Sequence, residues 1–103
     1  MQRKTTYHSS NGRKKEEYIR IDNKTKVTEW HSNGKKKCIY YEKNGMMHGK
    51  YESWYSNGKK NEICFYKNDD IDGEVKYYFS RSKNIKIANY KNGKPRRIGF
   101  KNS

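Results

Sequence analysis

The side chains that could ligate a metal, attack a carbon or shuttle a proton are few here, and spacing decides how each is read. Cys38 and Cys64 stand 26 residues apart without the CxxC spacing of a zinc or redox site, so they read as reduced core thiols, with a disulfide between them left open. The acidic run Asn68-Asp69-Asp70-Ile71-Asp72-Gly73 lacks the bidentate Glu that closes an EF-hand loop, and its flanks read as strand, so turn chemistry is expected of it rather than calcium. His8 and His31 share a position that Tyr55 and Phe79 fill further along the chain, which marks an amphipathic aromatic position rather than a ligand set. His48 lies in the Gly45–Gly49 connection, where Asp72 is its counterpart, and reads as loop solvation. No nucleophile stands beside a base in a pocket-forming context, so the expectation is no enzyme, no cofactor and no metal.

The basic residues carry more information because they are periodic. Arg13-Lys14-Lys15, Lys35-Lys36-Lys37, Lys59-Lys60 and Lys83 recur in one phase, and Lys43, Lys67 and Lys91 in another. With 25 Lys and Arg against 11 Asp and Glu, the formal charge is +14, a field that draws in acidic protein, nucleic acid or anionic lipid. The candidate partner-binding residues are Lys35, Lys36, Lys59, Lys60, Lys43, Lys67, Lys91, Arg96 and Arg97, with an acidic protein surface the first partner and nucleic acid or anionic lipid the alternative. A competing reading makes the same ladders solvated margins that discourage strand-to-strand aggregation, or the Lys- and Asn-rich output of an AT-rich genome.

What positions these residues is an internal repeat. Trp30-His31-Ser32-Asn33-Gly34-Lys35-Lys36 falls on Trp54-Tyr55-Ser56-Asn57-Gly58-Lys59-Lys60 at a shift of 24, the same shift reaches Tyr78-Phe79-Ser80, and a step back of 22 reaches His8-Ser9-Ser10-Asn11-Gly12. A second turn recurs at Lys43-Asn44-Gly45, Lys67-Asn68-Asp69 and Lys91-Asn92-Gly93. Asn-Gly between strand-like residues signals a type I′ hairpin, because Asn and Gly tolerate positive φ best. Leu is absent, Ala occurs once, and Tyr, Trp and Phe supply 15 residues, so propensity leans to strand and a thin aromatic core is feasible. The expected fold is all-β: an open, single-layer meander of antiparallel hairpins, one domain over 1–103 with repeats at about 8–29, 30–53, 54–77 and 78–101. Stacking of equivalent positions nominates Trp30, Trp54, Tyr78, Ile39, Ile63, Ile87 and Phe65 as the core. With neither an apolar leader nor a membrane-length apolar run, the chain is expected to be a soluble intracellular protein, cytoplasmic or, if viral, in the virion.

The stretch Lys43-Asn44-Gly45-x-x-x-Gly49-Lys50-Tyr51-x-x-Trp54-Tyr55-x-Asn57-Gly58 resembles the MORN-repeat variant of YwqK-type proteins. The likeness covers about residues 7–101 and is best over Trp30–Phe79. The first copy has His8 in its aromatic phase and the last has Arg81-Ser82 for Asn-Gly, departures that suit terminal repeats. The resemblance implies a MORN-like repeat solenoid, an elongated twisted sheet serving as scaffold or contact surface, in one variant as a structural component of a larger assembly such as a viral particle. Some bacterial members carry an antitoxin label, so partnership with a toxin is a further implied reading. Open strand edges add self-association to the expected partners.

Overall fold

The computed structural model describes the backbone of residues 1–102 and the side chains of residues 1–95. Strand accounts for 67% of the chain, and the described residues contain no helix. The elements are β1 (Gln2–Tyr7), β2 (Lys14–Ile21), β3 (Lys24–Trp30), β4 (Lys36–Lys43), β5 (Met46–Met47), β6 (Gly49–Trp54), β7 (Lys60–Lys67), β8 (Asp70–Ile71), β9 (Gly73–Tyr78), β10 (Asn84–Lys91) and β11 (Lys94–Asn102). They form one antiparallel meander in the order β1-β2-β3-β4-β6-β7-β9-β10-β11, with β5 pairing β4 and β8 pairing β7. The sheet does not close into a barrel, so β1 and β11 are open edges.

The two kinds of turn differ in geometry, although both contain Asn-Gly. In the second kind both central residues are left-handed, as at Asn44 (φ 52°) and Gly45 (φ 78°), the type I′ geometry expected. In the first kind only the glycine is. Gly34 (φ 89°) donates its N–H to His31 O at 2.9 Å, and His31 N–H closes the loop on Lys35 O at 2.8 Å. That is a longer hairpin loop, and the type I′ expectation is corrected there. The strands then accommodate an extra residue: Glu29 pairs with Cys38 but Trp30 with Lys36, and Ser53 with Glu62 but Trp54 with Lys60, leaving Lys37 and Asn61 as bulges. Lys15 occupies the same place in the first copy. Such bulges increase strand twist. His48 lies between β5 and β6 and is half-buried rather than solvated, its N–H donating to Tyr41 O at 2.9 Å.

Alternation along the strands and the cross-strand register together sort side chains onto two faces. One face carries Tyr18, Val27, Tyr40, Tyr51, Cys64, Val75 and Ala88 near its centre. The other carries Ile19, Thr28, Ile39, Ile63 and Ile87. Burial is deepest at small residues on the first face: Val27, Cys64 and Val75 are wholly buried and Ala88 nearly so. The register explains why. Val27 lies between Tyr18 and Tyr40 on the neighbouring strands, and in a single layer a short side chain is hidden by long ones beside it. The expected core is corrected accordingly. Trp30, Trp54, Tyr78, Ile39, Ile63 and Ile87 are only half-buried, and Phe65 is 50% exposed, because no second layer covers their face.

Candidate interaction surfaces

The turns first hold the repeats to one another. His8 Nε2 meets Trp30 O at 3.0 Å, His31 Nε2 meets Trp54 O at 2.8 Å, and Tyr55 Oη donates to Tyr78 O at 2.5 Å. His8 therefore stands with His31 and Tyr55, one place from the Trp30 phase where a step of 22 puts it, and the shared position is a side-chain donor to the next copy's backbone. Asn11 and Asn33 repeat the logic, donating to Ser32 O and Ser56 O while each accepts an N–H from its own turn. At the opposite rim Asn44 N–H reaches Asn23 O, Asp69 N–H reaches Met47 O, and Asp69 Oδ1 accepts from Met47 N–H at 2.6 Å. The acidic run thus does turn-to-turn bonding. Among the described residues no group of three His, Cys, Asp or Glu is placed to hold a metal.

The isoleucine face is basic and partly apolar. Cross-strand partners place Lys26 opposite Tyr41, Lys24 opposite Lys43, and Lys50 opposite Phe65. Ile21 (57%), Phe65 (50%), Tyr41 (38%) and Met46 (37%) are among its exposed apolar groups. Every glutamate on this face has a lysine: Glu17 with Lys14 at 3.5 Å, Glu52 with Lys50 at 3.1 Å and Lys60 at 3.5 Å, and Glu74 with Lys76 at 3.6 Å. Lys24 and Lys43, by contrast, are like charges in direct opposition, which is unfavourable unless solvent or an anion intervenes.

The tyrosine face has the reverse character. Glu16, Glu29, Glu42 and Glu62 all project there, and among the described residues none forms an ion pair. Glu16 and Glu29 take neutral donors instead. Tyr18 Oη donates to Glu16 at 2.7 Å, and Cys38 Sγ donates to Glu29 at 3.3 Å. The carboxylates and burial hold protons on the acids beside them. The Glu16 hydrogen bond, then burial, pushes Tyr18 up to about 12, while burial and then Glu29 push Cys38 up to about 12. Burial and then Glu62 do the same to Cys64, and burial alone raises Glu62 above its ordinary value. Tyr40 and Tyr51 stack with ring centroids 6.1 Å apart, and Tyr51 meets Tyr66 edge-on at 6.1 Å.

No family model matches this chain, and neither does any curated protein or solved structure. Function is therefore read from the two faces.

The nominated lysines do not form one site. Lys35, Lys36, Lys59 and Lys60 are exposed along the first rim, but Lys35 Nζ donates to Asn57 O at 3.2 Å, and Lys60 is shared between Glu52 and the Tyr78 ring, 6.0 Å from its centroid. These ammoniums have internal work. Lys43 (half-buried), Lys67 and Lys91 (exposed) lie along the second rim, where Lys43 and Lys67 join the exposed Tyr41 and Phe65. The side chains of Arg96 and Arg97 lie outside the described residues. Lys24, Lys26 and Lys50, outside the nomination, complete the basic face. Cys38 and Cys64 do share a face, but both are free. No helix among the described residues is long and apolar enough to cross a membrane.

Proposed function

We propose that this chain is a non-enzymatic interaction module of the MORN-like kind, which docks the second-rim side of its basic face on an acidic partner surface. The observation that carries the reading is the placement of Tyr41 and Phe65, exposed and directly opposite Lys26 and Lys50, beside the unneutralised Lys24–Lys43 pair. Interleaved rings and ammoniums supply contact area together with charge complementarity, the combination that steers and anchors an anionic partner. The stacked hairpins offer this surface as a rigid strip, suited to a scaffold within a larger assembly.

A second reading follows from the same rings. Exposed Tyr41 and Phe65 on a basic sheet are also a platform on which single-stranded bases stack. Fluorescence titrations of a polyglutamate peptide and of single-stranded oligonucleotides of several sequences, each at two salt concentrations, separate the two. The first reading expects peptide binding that weakens in Lys24→Gln/Lys43→Gln and in Tyr41→Ala/Phe65→Ala, and that exceeds oligonucleotide binding at physiological salt. Tighter oligonucleotide binding that depends on the two rings selects the second. Peptide binding unchanged in both double variants rejects the docking surface.

A further inference from the structure

The tyrosine face contains a cleft of about 610 Å³ whose lining the interaction surface does not use. Register builds it as one cross-strand row. Glu29 is the partner of Cys38, Cys38 of Ser53, and Ser53 of Glu62. Two carboxylates thus stand at the ends of a row whose middle is a thiol and a hydroxyl. Tyr51, on the same strand and face as Ser53, also lines the cleft.

Three observations give this cleft a preference. Neither Glu29 nor Glu62 forms an ion pair, in a chain with 25 Lys and Arg residues and a formal charge of +14. Lys37, an exposed bulge residue at the lining, pairs with neither. Ser53 is 6% exposed, and its buried Oγ makes no hydrogen bond of ordinary geometry, the Tyr51 hydroxyl being the side-chain group that acts on it. A buried hydroxyl without a well-formed hydrogen bond costs free energy that a bound group can recover. What is missing is a cation that also donates hydrogen bonds: carboxylates and a serine oxygen accept, and a tyrosine ring face attracts positive charge.

We infer that the Glu29–Glu62 cleft is a binding site for alkylammonium groups, taking a ligand that carries more than one along an extended apolar chain. Two separated carboxylates with an aromatic and thiol floor between them match charges spaced along methylenes. A dehydrated metal ion would need a convergent ligand set instead. The overall positive charge does not forbid this, because the Debye length is about 8 Å at physiological salt and distant lysines are screened. A linear polyamine and the lysine side chains of an extended peptide share the chemistry.

The test is calorimetric titration of the full chain with spermidine and, separately, with a Gly-Lys-Gly-Lys peptide, followed by amide and Tyr ring shifts in NMR. Saturable binding is expected for at least one, with shifts confined to Tyr51, Ser53 and their neighbours; the tighter ligand identifies the source of the ammonium. Glu29→Gln and Glu62→Gln should each weaken binding about tenfold, the loss typical of one charged hydrogen-bonded contact. Glu74→Gln on the opposite face should leave it unchanged. If neither ligand saturates at millimolar concentration, or if the double Gln variant binds as tightly as the parent, the site does not exist. Should a variant misfold, the map of shifts on the unmodified chain decides alone: shifts on the basic face, or scattered over the sheet, overturn the inference.

Discussion

Glu52 and Glu62 lie on the adjoining strands β6 and β7 but on opposite faces, and they have opposite fortunes. Glu52 is clasped by Lys50 and Lys60. Glu62 has no cation, and its carboxyl is raised above the ordinary 4.5 by burial. The sign of its effect on stability follows. Below the unfolded value both states hold the proton and there is no penalty; as pH rises past 4.5 the unfolded chain ionises first, so stability falls until the folded carboxyl also ionises. Glu62→Gln should therefore raise the melting temperature at neutral pH and leave it unaltered near pH 3.5. Glu52→Gln should lower it at neutral pH, through a stability loss of no more than about 1 kcal/mol for so exposed a pair. Thermal melts at the two pH values compare the variants directly, and a neutral-pH loss in Glu62→Gln would contradict the assignment.

Large-to-small substitutions should invert the ranking that side-chain size suggests. Val75 is wholly buried, whereas Trp54 is half-buried on a face without a covering layer. Val75→Ala deletes fewer atoms but leaves a cavity among neighbours that cannot collapse, costing about 2–3 kcal/mol; Trp54→Ala should cost about 2 kcal/mol, well under the range for a buried tryptophan. Phe65→Ala, at 50% exposure, should cost less than about 1 kcal/mol. Urea denaturation of the three variants gives the order, and a loss at Trp54 far exceeding that at Val75 would restore the tryptophans to the core.

The repeat made most of the architecture legible beforehand. Asn-Gly spacing located the hairpins, and the segments between the turns form strands, as at Gly49–Trp54 and Gly73–Tyr78. What could not be read was which face is buried. Alternation assigns Cys64 and Phe65 to opposite sides, but only the register shows that Cys64 is flanked by Tyr51 while Phe65 looks outward opposite Lys50. The bulges at Lys15, Lys37 and Asn61 obscured it further, since each shifts the phase between the turn and the strand behind it. The acidic row was hidden for the same reason. Glu29 and Glu62 are more than thirty positions apart in the chain, and nothing local announces that they share a cleft.

The donor position shared by His31 and Tyr55 predicts an unusual pattern of tolerance. His31 Nε2 meets Trp54 O, and Tyr55 Oη meets Tyr78 O one copy later. His31→Tyr should be close to neutral because a phenol reaches the same kind of acceptor. His31→Phe keeps the ring but leaves the Trp54 carbonyl without this donor, at a cost of about 1 kcal/mol. Equal stability of the Tyr and Phe variants in chemical denaturation would show that shape alone matters at this position.

Alkaline pH should unfold the chain earlier than its hydrogen-bonded sheet suggests. Cys38 and Cys64 are held up to about 12 from 9.0, and Tyr18, Tyr51 and Tyr77 to about 12 from 10.0, with burial the leading cause except at Tyr18, where the Glu16 hydrogen bond leads. Each group keeps its proton in the fold at a pH where the unfolded chain has released it. Stability is thus intact below pH 9 and declines as pH rises from 9 toward 12. The same shifts make the native thiols poor nucleophiles, with far less thiolate at pH 8 than an ordinary cysteine would have. Denaturant titrations at pH 8, 10 and 11 should show a falling midpoint, and at pH 8 a disulfide reagent should label Cys38 and Cys64 rapidly only after urea is added. Fast native labelling of both would mean that the tyrosine face opens readily, and would remove the burial on which the alkaline prediction stands.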